Sequence, residues 1–215
     1  MGYQPGGIES TDFIIGVTGH RQIPSASFVR PIVAWTLSAI PTLLSDLHKE
    51  TTIILSALAE GADRLVAEFA LGMQTRRHLR VILPFASEEY EKDIGSQSSL
   101  MEFHTLLEQA ESVKVVPNPK ACKIGIGGRS NNALLYDSND ERNAAYERCG
   151  QAIVDECDIL LSIWDGMAAR GRGGTAEIVA YARNKHKPMV WILPKVRCKV
   201  TYENFEQLKS AHSNR

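Results

Sequence analysis

Three glycine-containing segments of this chain each follow an apolar run and precede a helix-like pattern. They read GVTGHR at 16–21, SALAEGAD at 56–63 and GRGGTAE at 171–177. A chain that alternates apolar strands, glycine loops and amphipathic helices builds an open parallel sheet, and its loops gather at the carboxyl edge of that sheet. Helix N-termini at this edge present unpaired N–H groups to an anion. Three such loops together favour a nucleotide pocket.

The apolar periodicity predicts an α/β fold, doubly wound, with a mostly parallel, Rossmann-like sheet and helices on both faces. The predicted strands cover residues 13–17, 53–55, 79–83, 112–116, 159–164 and 188–193. The predicted helices cover residues 28–48, 63–73, 100–110, 137–156 and 175–184. Between them, 85–93 is a polar connection and 117–135 a long loop at the functional edge, and the tail beyond Tyr202 has the pattern of a terminal helix.

Length and composition predict a single domain over residues 1–215, with its core at about 13–193. No linker divides the 215 residues, of which 44% are hydrophobic and 23% charged, as in soluble globular proteins. The N-terminus lacks a signal-like pattern, and no apolar run reaches the roughly 20 residues that span a bilayer. We therefore expect a cytoplasmic protein with no membrane partner. The net charge of −1 makes nucleic acid an unlikely partner.

The residue patterns predict neither a cofactor nor a metal. The dinucleotide fingerprint GxGxxG is absent, and the second predicted strand ends in Ser56 and Ala57 instead of a ribose-binding carboxylate. Nicotinamide and flavin cofactors are therefore disfavoured. The histidines lack the spacing of metal ligands, and the cysteines lack a CxxC pair, which indicates reduced thiols. The cysteines are Cys122, Cys149, Cys157 and Cys198.

The first loop supplies candidate phosphate contacts. Gly16 and Gly19 bracket Thr18 at the end of the first predicted strand. Arg21 follows closely enough to pair with a phosphate through two hydrogen bonds. The alternative is a tight turn with a surface arginine.

The second loop contains candidate ligand contacts of a different kind. Ser56 stands at a strand end, and Gly61 permits a close approach of the backbone to a ligand. Glu60 either complements the positive end of the next helix or accepts a hydrogen bond from a sugar hydroxyl. Asp63 lies in the first helical turn, where a helix cap is the commoner role.

The third loop has the strongest anion-binding pattern. Gly173 and Gly174 free the backbone to curve, and Thr175 offers both a hydroxyl and an amide N–H to a phosphate. Glu177 follows in the first helical turn as a general base, a ribose contact or a partner of the helix dipole. Asp165, at the end of the fifth predicted strand, is placed for a polar ligand contact or for a solvated turn.

A further candidate lies near the start of the helix at 137–156. Arg142 and Tyr146 share one helix face because they are four residues apart. Arg142 can hold a phosphate or a base while Tyr146 stacks or hydrogen-bonds. A solvated, charged helix face is the alternative.

These motifs resemble, in the same order, those of the SLOG superfamily, and the resemblance extends over about 13–193. That superfamily unites the Rossmann-like domain of DNA-processing protein A, the Lonely Guy proteins and nucleotide-sensor domains of bacterial defence systems. The segment ILSALAEGAD at 54–63 is similar to SGLAxGID of the DNA-processing branch. The segment GGTAE at 173–177 is similar to PGGxGTxxE of the Lonely Guy enzymes, but it lacks the proline and is shorter. The shortening turns the carboxylate by about 100° around a helix.

The resemblance implies a Rossmann-like fold, a phosphate and ribose cradle, and a homodimer. Lonely Guy enzymes cleave an N-glycosidic bond with an essential glutamate and arginine, and Glu177 would be the residue nearest the scissile bond here. The implied cradle residues are Gly19, Arg21, Ser56, Gly61, Gly173, Gly174 and Thr175.

Three functions follow, in order of preference. The first is a sensor or binding module for a nucleotide or nucleotide-derived ligand, favoured because the cradle loops accompany an altered catalytic motif. The second is a nucleoside-monophosphate phosphoribohydrolase or related N-glycosidase, with Glu177 acting at the sugar and Arg142 or Arg21 holding the phosphate. The third is a protein that handles single-stranded DNA through the basic residues at 76–80.

Overall fold

The computed structural model describes residues 12–24, 26–43, 51–72, 77–119, 138–168, 172–195 and 197–208. Seven strands and six helices lie within these ranges. A 3-10 turn, Glu91–Asp93, directly follows the third helix. The strands are β1 (Asp12–Gly19), β2 (Thr51–Ser56), β3 (Arg77–Leu83), β4 (Ser112–Val115), β5 (Ile159–Ile163), β6 (Met189–Leu193) and β7 (Lys199–Glu203). The helices are α1 (Ala26–Leu43), α2 (Ala62–Gly72), α3 (Ser87–Tyr90), α4 (Gln97–Glu108), α5 (Asn139–Glu156) and α6 (Thr175–Asn184).

The strands form one sheet in the order β4-β3-β2-β1-β5-β6-β7. Strands β1 to β6 run parallel, and β7 pairs antiparallel with β6 at the edge. The chain builds outward from β1 to β4, then crosses back to the other side of β1 for β5. This reversal is a topological switch point, where the two flanking connections leave a crevice at the carboxyl edge.

Apolar residues pack on both faces of the sheet. On one face, Val33 of α1 and Val66 of α2 join Ile15 and Val17 of β1 in one cluster. On the other face, α5 and α6 cover the sheet in a second cluster. The fold is therefore doubly wound α/β with a mostly parallel, Rossmann-like sheet, as the sequence predicted. None of the helices in the described ranges has the length and apolar character needed to cross a membrane.

Two elements were not predicted from the sequence. The polar connection at 85–93 contains α3 because the carbonyl of Ala86 accepts the N–H groups of Glu89 and Tyr90, and the Tyr90 side chain is buried. Tyr202 lies in β7, a short strand with no fully buried side chain, and a helical turn follows only at 206–208. The predicted loop at 117–135 lies, beyond residue 119, outside the described residues, as does the predicted helical segment at 44–48.

Candidate functional site

A cleft of about 410 Å³ opens at the switch point, beside the carboxyl ends of β1 and β5. The structure brings all three glycine loops to it. Thr18 and Gly19 line it from β1, Ala57 and Ala59 from the loop before α2, and 173–175 from the loop before α6. Its volume lies within the range of about 300–1,000 Å³ that is typical of small-molecule sites.

The N-terminus of α6 offers unpaired N–H groups to this cleft. Gly174 is the N-cap residue and receives no side-chain cap. The N–H groups of Gly174, Thr175 and Ala176 find no hydrogen-bond partner within the described part of the chain, and all three residues line the cleft. Such amides, together with the partial positive charge of the helix terminus, form a binding site for an anion.

Gly173 brings the third loop against α5. Its φ is 78°, in the left-handed region that favours glycine. A Cβ on this residue would lie 2.8 Å from the carbonyl oxygen of Asn143 and 2.9 Å from the amide nitrogen of Glu147. Any other residue would push the loop away from the helix, and with it the unpaired amides.

Arg21 supplies the cation of the cleft. Its guanidinium lies 5.4 Å from the centroid of the Tyr146 ring. Within the described ranges no carboxylate lies within ion-pair distance of Arg21, whereas Arg172, the other arginine of the cleft, bonds the Glu147 carboxylate at 2.5 Å. Arg21 is therefore positioned to bind an anionic ligand.

His20 and Asp165 join the ends of β1 and β5. The backbone N–H of Asp165 donates to His20 Nε2 at 3.1 Å, and Asp165 Oδ1 lies 3.0 Å from the same nitrogen. The carboxylate also accepts the N–H of Met167 at 2.9 Å. These contacts hold the His20 imidazole and the Asp165 carboxylate together at the edge of the cleft.

Asp63 is a buried carboxylate in the wall of the cleft. Its Oδ2 accepts the N–H groups of Ala57 at 3.2 Å and Ala59 at 3.4 Å. Burial raises the pKa of Asp63 to about 6, although these backbone hydrogen bonds favour the ionised form. Asp63 thus fixes the conformation of the second loop through its hydrogen bonds to Ala57 and Ala59. The sequence predicted only a helix cap for this residue.

Backbone strain occurs in the same loop. Leu58 is fully buried and has a φ of 54°, which costs a residue with a Cβ about 1 kcal/mol or more. Ser56 Oγ accepts the Leu58 N–H at 3.0 Å, and Arg64 Nε donates to the Leu58 carbonyl at 2.9 Å. Ser56 therefore stabilises the loop through this hydrogen bond and does not line the cleft.

Three more of the predicted ligand contacts lie behind the cleft wall. A Cβ on Gly16 would lie 2.8 Å from Cys157 Sγ, so this glycine lets α5 pack on β1. Gly61, at a φ of 84°, packs against the backbone carbonyl of Arg21. Glu60 accepts a hydrogen bond from the Ser99 hydroxyl on α4. Glycine at 16 and 61 is thus explained by the packing of the elements that support the cleft.

The two predicted catalytic side chains do not line the cleft, and both are bonded to other parts of the chain. Arg142 donates to Glu89 Oε1 at 2.5 Å and to Asp93 Oδ2 at 2.6 Å, and its guanidinium lies 4.5 Å from the Phe85 ring centroid. Glu177 Oε2 accepts the N–H of Gly173 at 2.5 Å, so its carboxylate closes the third loop. Both side chains stabilise local structure.

Sequence reasoning missed or left open several residues of the cleft. Tyr146, Trp164 and Asn143 line it, and Trp164 is a largely buried aromatic whose carbonyl accepts Trp191 Nε1 at 2.8 Å. The strand-end position of Trp164, next to Asp165, was the available signal.

Cys149 also lines the cleft but provides no nucleophile. Burial raises the pKa of its thiol, which donates to the Ile82 carbonyl at 3.1 Å. A thiol held neutral in this way does not supply a thiolate.

The basic cluster predicted for DNA contacts lies at the opposite, amino edge of the sheet. Arg80, the fourth residue of β3, bonds Asp12 at 2.8 Å and Glu111 at 3.2 Å. Arg76 lies outside the described residues. The charge of Arg80 is therefore compensated within the fold.

No family model matches this chain, and no curated protein matches it. Among solved structures, it is similar to the X-ray structure of DNA processing protein A from Streptococcus pneumoniae, with 14% sequence identity and a TM-score of 0.45. The similarity covers 86% of this chain and 52% of that one, so this chain spans about half the length of that protein. A similarity of this degree carries no information about ligand or activity.

Proposed function

We propose that this chain binds a nucleotide or a nucleotide-derived ligand in the cleft at the switch point, as a sensor or binding module. One observation carries the proposal. Three loops from separate strand–helix connections place the unpaired amides of α6 and the Arg21 guanidinium around one cleft. The resemblance of the same loops to the SLOG motifs supports this ligand class.

The anionic part of the ligand fits the start of α6. Each unpaired N–H of Gly174, Thr175 and Ala176 provides a donor, and the helix terminus carries roughly half a positive charge. Arg21 adds a full charge and a planar pair of donors that match a phosphate. A phosphate bound here is held by the backbone, so the identity of neighbouring side chains matters less than the shape of the loop.

The remaining part of the ligand meets a mixed surface. Trp164, Tyr146 and Ile153 provide apolar contacts for a base or a sugar ring. Asp165 lines the same cleft, and a carboxylate there accepts hydrogen bonds from hydroxyl or amine groups of a ligand. Phosphate, sugar and base thus each have a chemically matched part of the cleft.

The geometry favours binding over hydrolysis. A phosphoribohydrolase of the Lonely Guy type would use Glu177 on the sugar and Arg142 or Arg21 on the phosphate. Here Glu177 holds the N–H of Gly173, and Arg142 is neutralised by Glu89 and Asp93. Neither group is positioned for such chemistry.

Thr175 allows a test that separates backbone from side chain. It is the first residue of α6, where proline is tolerated because its missing N–H has no helical partner, and the extended backbone of Gly174 before it suits a proline. Thr175→Pro removes an amide donor and the hydroxyl, while Thr175→Ala removes the hydroxyl alone. We expect isothermal titration with AMP, GMP, cyclic nucleotides and ADP-ribose to show binding by the wild type.

The expected pattern among the variants follows from the role of the amide. Binding by Thr175→Pro should be weaker than by Thr175→Ala by about tenfold, the value of a hydrogen bond to a charged group. Thermal unfolding of both variants checks that α6 remains intact. Absence of binding by the wild type to every member of this set would contradict the proposed function.

A further inference from the structure

Three parts of the structure contact the Tyr146 side chain. Its ring lies beneath the Arg21 guanidinium, 5.4 Å from centroid to Cζ. Its hydroxyl donates to Asp93 Oδ2 at 2.5 Å, in the segment that follows α3. A Cβ on Gly173 would lie 2.9 Å from the Tyr146 Cβ, so the third loop packs directly against it. The orientation of the Tyr146 ring therefore affects the position of Arg21, the cation that meets the ligand.

The bond to Asp93 fixes the orientation of this ring. Burial of the phenol raises the pKa of Tyr146, and its hydrogen bond to Asp93 raises that pKa further. The hydroxyl therefore stays protonated and donates. The carboxylate is held in turn by Arg142 at 2.6 Å. Phe85 packs edge-on against the ring, with centroids 5.3 Å apart. A tyrosine that is packed on one side and anchored at its hydroxyl presents one fixed face to Arg21.

We infer that Asp93 is a positioning residue for ligand binding, which holds Tyr146 beneath Arg21, and that Arg142 acts on the cleft through Asp93. Asp93 itself does not line the cleft. The inference rests on the proposed function, because it assigns a role in placing the cation that the anionic ligand meets. It also gives Arg142 a role other than the phosphate contact expected from the sequence.

Electrostatics and positioning predict opposite effects of removing the Asp93 charge. The carboxylate lies close enough to Arg21 to stabilise its charged form. If charge alone mattered, Asp93→Asn would leave the cleft more positive and strengthen the binding of an anion. If positioning matters, the same variant weakens the hold on Tyr146 and weakens binding. The sign of the change in affinity therefore distinguishes the two.

The experiment compares Asp93→Asn and Tyr146→Phe with a matched control. Tyr146→Phe keeps the ring and the net charge but removes the hydroxyl that reaches Asp93. Tyr181→Phe is the control, because the Tyr181 hydroxyl also bonds a carboxylate of α5, Asp155, at 3.0 Å, and Tyr181 does not line the cleft. Calorimetric titration of AMP and GMP gives the affinities, and thermal unfolding shows whether each variant is folded.

We expect Asp93→Asn and Tyr146→Phe each to weaken binding by about tenfold, with Tyr181→Phe unchanged. In an Arg21→Gln background, the two substitutions should cause little further loss, since they act through Arg21. A merely structural role would lower the unfolding temperature, and the loss of affinity would then be the same with Arg21 or Gln at position 21.

Each contrary outcome identifies what has failed. If the wild type binds neither AMP nor GMP, the inference is contradicted for these ligands. If the cyclic nucleotides and ADP-ribose also fail to bind, the proposed function is contradicted as well. Wild-type binding with unchanged or stronger binding by Asp93→Asn would overturn the positioning role and leave the proposed function intact. If the losses of binding free energy in Asp93→Asn and Tyr146→Phe simply add to the loss in Arg21→Gln, the positioning role is also overturned and the proposed function remains intact.

Discussion

The carboxylate of Asp63 is buried in the cleft wall, and its ionisation opposes folding. Burial raises its pKa from 3.8 to about 6, and the N–H groups of Ala57 and Ala59 offset only part of this. Between these two pH values the folded chain binds more protons than the unfolded chain. The contribution of Asp63 to the free energy of unfolding is therefore complete below pH 3.8 and is lost as the pH rises through about 6.

Asp63→Asn should remove this pH dependence. Asparagine keeps a carbonyl oxygen for the two N–H groups and carries no charge. Urea unfolding between about pH 4 and pH 7 should show the stability of the wild type falling relative to this variant by about 2 kcal/mol. Asp155→Asn, which changes an exposed carboxylate of α5, should show no such trend. A constant difference between wild type and Asp63→Asn would contradict the buried ionisation.

Glu177 has a structural role that can be measured without any ligand. Its carboxylate accepts the N–H of Gly173, the residue before the N-cap of α6, and so acts one residue earlier than the glutamate of a capping box. We expect Glu177→Ala to lower the free energy of unfolding by about 1 kcal/mol, and Glu206→Ala, at an exposed position, to leave it nearly unchanged. Equal stability of Glu177→Ala and wild type in urea unfolding would contradict the cap.

At the scale of elements, the sequence predicted most of the fold because apolar periodicity is a local signal. The helix predicted at 175–184 is α6, residue for residue, since glycines mark its start and the apolar stripe is regular. The strand β7 was missed because none of its side chains is fully buried. The bond between Tyr146 and Asp93 joins residues 53 positions apart, and no local pattern reports such a pairing. Loop positions were thus predictable, and the partners of individual side chains were not.

The contact between α5 and α6 depends on Gly150. A Cβ there would lie 2.4 Å from Ile178 Cδ1, so α6 could not keep its present distance from α5. We expect Gly150→Ala to destabilise the fold by about 1–3 kcal/mol, although alanine favours a helix. Adding Ile178→Val should recover part of the loss by removing that methyl group.

Gly72→Ala is the matched control for this contact. A Cβ on Gly72, the last residue of α2, would meet no atom within 4 Å. Its expected effect in urea unfolding is neutral or slightly stabilising. Equal effects of the substitutions at Gly150 and Gly72 would show that the helix contact does not require glycine.

At the scale of the whole molecule, the strand order explains why residues far apart in the sequence form one cleft. The reversal between β1 and β5 brings the loop after Gly19 beside the loop before Thr175, and the opposite edge holds the paired arginine Arg80. The central claim is that main-chain amides and one arginine at this reversal bind the anionic part of a nucleotide.

Amide chemical-shift mapping by NMR tests this claim most directly. On titration of labelled protein with AMP or GMP, the account predicts the largest shifts at Gly174, Thr175, Ala176 and Arg21, and none along Lys199–Glu203 of β7. Largest shifts at the amino edge of the sheet, or binding that leaves the amides of α6 unchanged, would contradict it.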